Sequence, residues 1–217
     1  QGFSFAGKQL AFDDPRSKLF FEFVRLLKEV KPKYFLLENV RMKKEYLDVI
    51  SEQVGSQPTL INSALLSAQS RQRYYWTNMP FDKNIEDKGV VLRDILEGEF
   101  GTERNKSHCL DANYYKGSSV ENYKKKSRRQ MVFKKQSKIR DKSKTVRSSG
   151  RGSYDRHEWD SVDELHWRKL TPLECERLQT VPDNYTEGVS NTQRYKMLGN
   201  GWTVDVIAHI LKSLRKS

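Results

Sequence analysis

Lys31-Pro32-Lys33-Tyr34-Phe35-Leu36-Leu37-Glu38-Asn39-Val40, residues 31–40, is the stretch on which the fold turns. Lys31-Pro32 stops whatever helix precedes it, because the residue before proline is pushed out of the α region. Tyr34–Val40 is then a short run of aromatic and branched residues closed by a carboxylate and an amide. Upstream, RSKLFFEFVRLLKEV (16–30) repeats Leu19, Phe23, Leu26, Leu27 and Val30 at helical spacing, which predicts an amphipathic helix. A helix running into a wholly apolar strand predicts a parallel sheet covered on both faces, hence an α/β protein.

Outward from there the pattern continues. Residues 43–53 are helical in spacing, with Tyr46, Leu47 and Ile50 on one side, and TLINSALL (59–66) and RYYWTNM (73–79) read as two further strands. After Pro80 the segments become short and polar, punctuated by Gly101, Gly117, Gly150 and Gly152. Order returns at WRKLTPLECERLQTVP, where Thr171-Pro172-Leu173-Glu174 is a capping box with proline at the first helical position. A last helix from Thr203 to about Lys216 turns Val204, Ile207, Ile210, Leu211 and Leu214 inward. The expected organisation is an α/β body over 1–80, an insert over 81–165, and a return to the body over 166–217.

Charge is distributed unevenly over the 217 residues. Between Lys124 and Arg151 there are 13 Lys and Arg against one acid, Asp141, so this block holds the whole net charge of +12 and the remainder is neutral. A basic block on a neutral body suits a polyanion, and nucleic acid ahead of a membrane because no apolar helical face accompanies it. A solvated loop explains the same charge. No run approaches the roughly 18 apolar residues of a membrane span. Cys109 and Cys175 stand far apart in unlike surroundings, without metal or disulfide spacing, which predicts a reducing compartment.

Three features could carry chemistry. Glu38 closes a strand, where ligands of open α/β sheets gather. Partial burial disfavours the charged form of such a carboxyl, so it could share a proton near neutrality; capping the following segment would explain it as well. Arg71 and Arg73, at spacing two on a strand, share a face. Two guanidiniums together suit a phosphate, a carboxylate or a base carbonyl, although charges on an edge strand protect it too. Gly199-Asn200-Gly201-Trp202 reads as a tight turn offering amides at a helix N-terminus, or simply as a turn beside a packed tryptophan.

Taken in order, QGFSFAGK, DDPRSKLFFEFVRLL, KPKYFLLENV, QSRQRYYW, RKLTPLECERLQTVPDNYT and YKMLGNGWTV resemble the motifs of the cytosine-5 DNA methyltransferase family. The resemblance covers about the first 80 and the last 50 residues. It implies a Rossmann-like sheet that uses S-adenosylmethionine and acts on a cytosine flipped out of double-stranded DNA. By motif match Glu38 would contact ring nitrogen 3 and the exocyclic amine, Arg71 and Arg73 the base carbonyl, and Asn39 the loop that positions Glu38. Asn200, Gly201 and Trp202 would complete the cofactor pocket, and Gln1 and Ser4 would lie beside the flipped base. The insert falls where the family keeps its target-recognition region, CLDANYYKG (109–117) resembling its start, which makes Lys124, Lys125, Arg128 and Arg129 candidate DNA contacts.

In this family the nucleophile is the cysteine of a Pro-Cys-Gln-x-x-Ser loop. Gln1-Gly2-Phe3-Ser4 matches that loop from its third residue on, which implies a catalytic cysteine directly ahead of Gln1. A Gly-rich cofactor strand-turn is implied further upstream, on the order of 70 residues in all at roughly 30 per strand–helix–strand unit. A chain without that thiol is expected to be inactive alone. The implied setting is a bacterial or phage enzyme, cytoplasmic and associated with the nucleoid, of the kind found in restriction–modification. Two other readings stand beside this one: a DNA-binding or regulatory subunit of a split methyltransferase, which the intact Glu38, Arg71 and Arg73 argue against, and a transfer-RNA methyltransferase, against which the basic insert leans.

Overall fold

The computed structural model describes residues 18–126, 128–137 and 163–216. Helix α1 (Lys18–Val30) ends ahead of Pro32 as expected, and strand β1 (Leu36–Val40) follows. Helix α2 (Lys44–Val54), closed by Gly55 in the left-handed conformation at φ 69°, leads to β2 (Thr59–Asn62). Asn62 Oδ1 then accepts from Ala64 N and Arg71 N, turning the chain through a short 3₁₀ segment into β3 (Gln72–Thr77). TLINSALL is thus strand only over its first half.

The sheet order is β1-β3-β2, with both pairings antiparallel. The expected parallel pairing is corrected, and loop length supplies the reason. Residues 41–58 contain α2 and form a crossover, so β1 and β2 do run in the same direction. Residues 63–71 are too few for a second crossover, so β3 can only return antiparallel, and it slots between the other two.

Each face of this sheet has its own core. Trp76, fully buried with its Nε1 donating to Ser51 Oγ at 2.9 Å, packs with Phe20 and Val24 of α1 and Ile50 and Val54 of α2. On the other face Ile61 and Tyr75 meet Val206, Ile207 and Ile210 of α7 (Val204–Leu211). Two apolar stripes were placed differently by periodicity. In α1 Phe20 and Val24 are buried and the expected Phe23 and Leu27 pack partly against the same core, while Leu19 is 72% and Val30 68% exposed; the apolar arc is wider than the stripe that is covered, so spacing does not say which part of it is buried. In α7 the buried set includes Val206, and Val204 and Leu211 are 42% and 38% exposed. The helix also ends at Leu211 and continues as 3₁₀ over Lys212–Lys216.

The third core lies under the insert. It gathers Leu92 and Ile95 of α3 (Leu92–Ile95), Leu110, Tyr114, Val132 of β4 (Met131–Ser137), and Cys175 and Leu178 of α5 (Pro172–Leu178). Tyr195 and Leu198 of α6 (Asn191–Asn200) complete it. Strand β4, which arises within the basic block after the short helix α4 (Val120–Lys126), pairs antiparallel with β5 (Asp163–Lys169). The clusters therefore join residues on either side of positions 80 and 166.

The predicted capping box is present: Thr171 Oγ1 accepts from Glu174 N at 3.1 Å and Thr171 N donates to Glu174 Oε2 at 2.8 Å. The same buried carboxylate takes a fork from Arg168, at 2.7 and 2.8 Å, and a 2.7 Å bond from Glu97 N. No described helix is long and apolar enough to cross a membrane.

Candidate active site

In the β1–β3 register Glu38 faces Tyr75 and Val40 faces Arg73, so Glu38, Arg73 and Tyr75 share the face that α7 covers. Arg73 Nε lies 2.9 Å from Glu38 Oε1. That oxygen is buried and nevertheless accepts no hydrogen bond from the described residues: the guanidinium is near in charge but its N–H is not aligned. A carboxylate oxygen withdrawn from water with an acceptor site unfilled is arranged for a donor that the described residues do not provide. Burial, and then the charge of Glu38, push the Tyr75 hydroxyl well above its ordinary value, so the ring stands as a neutral wall. Asn39 Oδ1 accepts from Val40 N at 2.8 Å and closes the strand end.

The two arginines share a face, as their spacing predicts, but they do different work. Arg71 is buried; its Nη1 donates to Leu110 O at 2.9 Å and its Nη2 to Gly201 O at 3.0 Å. It clamps the start of the insert to the turn before α7. Arg73 spends Nη1 on Gln72 O at 2.8 Å and points the rest of its fork towards Glu38 and Cys109.

Cys109, which has neither metal nor disulfide spacing, belongs to this site. Its Sγ lies 3.4 Å from Arg71 Nη1 and 3.7 Å from Arg73 Nη2. Gln69 and Gln179 were passed over. Gln69 Oε1 accepts from Leu110 N at 2.8 Å, and its Nε2 donates to Leu178 O at 3.2 Å and Gln179 Oε1 at 3.1 Å. Gln179 Nε2 reaches Leu198 O at 2.5 Å, and Thr203 Oγ1 donates to Gln179 Oε1 at 3.0 Å. A glutamine directly ahead of Ser70-Arg71 was the available signal. Buried amides satisfied on every side fix geometry.

The Gly199–Trp202 segment differs from its expected form. Gly199 and Asn200 are the last residues of α6, a helix that periodicity did not single out, and Gly201 is its cap. The first amides of α7 are occupied, Val204 N by Gln179 O and Asp205 N by Thr180 Oγ1, each at 2.9 Å. An amide cradle for a ligand is therefore absent there. The segment offers instead the exposed side chains of Asn200 and Trp202 on either side of the Gly201 carbonyl that Arg71 holds.

Among the expected DNA contacts, Gln1 and Ser4 lie outside the described residues. Lys124 is exposed, and Lys125 pairs with Glu121 at 2.6 Å on an exposed helix face. Arg128 is exposed and only loosely opposed by Asp111 at 3.8 Å, whereas Arg129 Nη1 is held by Gly117 O at 2.8 Å. The basic block beyond Ser137 lies outside the described residues. Among the described residues no cluster of His, Cys, Asp and Glu is suited to a metal ion.

A three-stranded sheet between helices positions this site, and the solved proteins whose fold the chain shares are methyltransferases. Solved structures of that class align over nearly the whole chain: a methyltransferase of Entamoeba histolytica, EhMeth (TM-score 0.60, 16% identity, 99% of this chain and 75% of that one), and the Dnmt2 methyltransferase of S. pombe (TM-score 0.54, 18% identity, 94% and 76%). The family model described as C-5 cytosine-specific DNA methylase matches residues 1–216, and the chain belongs to that family. Type II methyltransferase M1.ScrFI of Lactococcus lactis subsp. cremoris is 30% identical over 248 residues, which cover 99% of this chain and 59% of that protein. Type II methyltransferase M.HhaI of Haemophilus parahaemolyticus is 26% identical, over 100% of this chain and 73% of its own length. The chain thus spans between about three fifths and three quarters of these two relatives.

Proposed function

We propose that this chain provides the base pocket and the DNA-contact surface of a cytosine-5 DNA methyltransferase, acting on a cytosine turned out of the duplex. The observation that carries the reading is the buried, unfilled Glu38 Oε1 beside Arg73. Cytosine has the complementary edge: its exocyclic amine donates, and its ring carbonyl accepts. Glu38 takes the amine and, through a shared proton, ring nitrogen 3; Arg73 donates to the carbonyl. Arg71 is a positioning residue, because both of its terminal nitrogens already serve backbone carbonyls.

The reaction needs a thiolate at carbon 6, which renders carbon 5 nucleophilic towards a methyl group; loss of the carbon 5 proton then expels the sulfur. Protonating or hydrogen-bonding the far side of the ring draws off the charge that attack creates, and this is the work of Glu38 and Arg73. Cys175 cannot supply the sulfur, being fully buried, with its thiol pushed far up by burial and then by the Glu174 charge. The motif match assigns the thiolate to a cysteine directly ahead of Gln1.

S-Adenosylmethionine, when bound, supplies the methyl group. Asn200 and Trp202 suit it in kind, an exposed amide and an exposed ring beside a carbonyl fixed by Arg71. The substrate is DNA inside a cell, and the nucleoid is the setting we assign.

Two measurements test this. The 217 residues are expected to bind duplex DNA with an affinity that falls steeply with salt, and to transfer no methyl from labelled S-adenosylmethionine. Turnover by this chain would overturn the placement of the nucleophile. Tighter binding to transfer RNA than to duplex DNA would overturn the substrate.

A further inference from the structure

Where residues 115–119 meet α4 and the β4–β5 hairpin there is a hollow of about 670 Å³, lined in part by Lys116, Arg128, Arg129, Trp167 and Lys169 and by no acidic residue. We propose that this hollow seats one nucleotide of the DNA, with the phosphate among Lys116, Arg128 and Arg129 and the base against the face of Trp167. The proposal rests on the DNA reading above and adds to it a second, separate point of grip.

Four features support it. Trp167 projects from β5 with 49% of its surface exposed at the wall of the hollow, so its ring is accessible to a stacked base. Arg129 holds φ 54°, a left-handed backbone that a bulky residue rarely adopts, and strain of that kind collects at ligand clamps. Its Nη1 is pinned by Gly117 O and its Nε is buried, without a partner among the described residues, so the fork is held in place at the wall of the hollow. Arg128 has only the distant Asp111 carboxylate at 3.8 Å, and Lys116 is exposed.

Lys169 is spoken for, since it donates to Tyr115 O at 2.9 Å and lies over the Tyr195 ring at 4.5 Å. It builds the wall and leaves the phosphate to the other three cations. The exposure of Lys116, Arg128 and Trp167 makes the hollow an open trough, which suits a strand passing over it better than an enclosed small molecule. The segment that begins at Cys109, against the two site arginines, reaches Lys116 seven residues later, so grip and chemistry lie on one short stretch of chain.

The test is fluorescence-anisotropy binding of this 217-residue chain to a labelled duplex across a salt series. Trp167→Ala is expected to weaken binding about tenfold with the salt slope unchanged, because a stacked base is worth ~1–3 kcal/mol. Trp167→Phe should restore most of the loss, which a merely structural role would not explain. Arg128→Gln should weaken all sequences alike and reduce the log–log slope by about one. Wild-type binding matched by Trp167→Ala overturns the nucleotide seat and leaves the DNA reading standing. Wild-type chain that binds no duplex overturns both. A loss at Arg128→Gln confined to particular sequences overturns the phosphate assignment, because it marks a guanine edge instead.

Discussion

Arg71 and Arg73 lie two positions apart, and sequence spacing treats them as equals. The structure separates them by what their nitrogens touch. Replacing Arg71 with lysine removes a planar fork that bridges two carbonyls, and a single ammonium cannot serve both. With hydrogen bonds to charged groups worth ~1.5–3 kcal/mol, Arg71→Lys is expected to lose about 2–3 kcal/mol of stability in urea denaturation. Arg73→Lys keeps a charge beside Glu38 and gives up one bond to a backbone carbonyl instead of two, so it should cost less than Arg71→Lys by the same measure. The cysteines divide in the same way. Cys109 is partly accessible and lies between two guanidiniums, whereas Cys175 is sealed in the core. A maleimide should modify Cys109 in the folded protein and Cys175 only after denaturation, as read by peptide mass. Prior loading with duplex DNA should slow the first reaction.

At the scale of elements, Gly199 decides how α6 meets the insert. A Cβ there would come within 2.3 Å of the Asp111 carbonyl carbon and 2.4 Å of Ala112 N, both backbone atoms that cannot move alone. Alanine in a helix ordinarily gains ~1 kcal/mol over glycine, yet Gly199→Ala is expected to be destabilising by about 1–3 kcal/mol, because overpacking against backbone outweighs propensity. The thermal midpoint checks the sign. Elements with strong local signals were legible beforehand: the Pro32 stop and the Thr171–Glu174 cap both lie where the sequence placed them. What spacing could not supply was pairing. The direction of β3 depends on the length of the connection before it, and α6 carries little amphipathic pattern because Tyr195 and Leu198 alone of its large apolar residues point inward. Glu38 and the arginines were legible because strand ends and alternate positions have fixed geometry; Gln69, Gln179 and Cys109 were not, because their partners lie far away in sequence.

Across the whole molecule, charge and burial set the response to solution conditions. His108, within the insert and next to Cys109, has its pKa lowered from 6.5, first by burial and then by the Arg104 charge. The folded state therefore holds that ring neutral more firmly than the unfolded chain does. The associated stability is complete above about pH 6.5 and is lost as the pH falls from there through the lower folded value. Urea midpoints measured between pH 8 and pH 5 should fall across that window, and His108→Gln should flatten the change. The basic block cannot be probed by deletion, since 124–151 includes β4, whose buried Met131 and Val132 belong to the described interior. Neutralising Lys124 and Arg128 together leaves that strand in place, and should lower the salt slope of DNA binding by about two.

The bridge from Arg71 to Gly201 spans 130 positions of sequence. During synthesis the guanidinium is made early and its second carbonyl late, so on the ribosome the pocket stands with one wall missing until residues past 201 emerge. A nascent chain would carry Glu38 in an unfinished cleft, and the wall would close only when α7 packs onto the sheet.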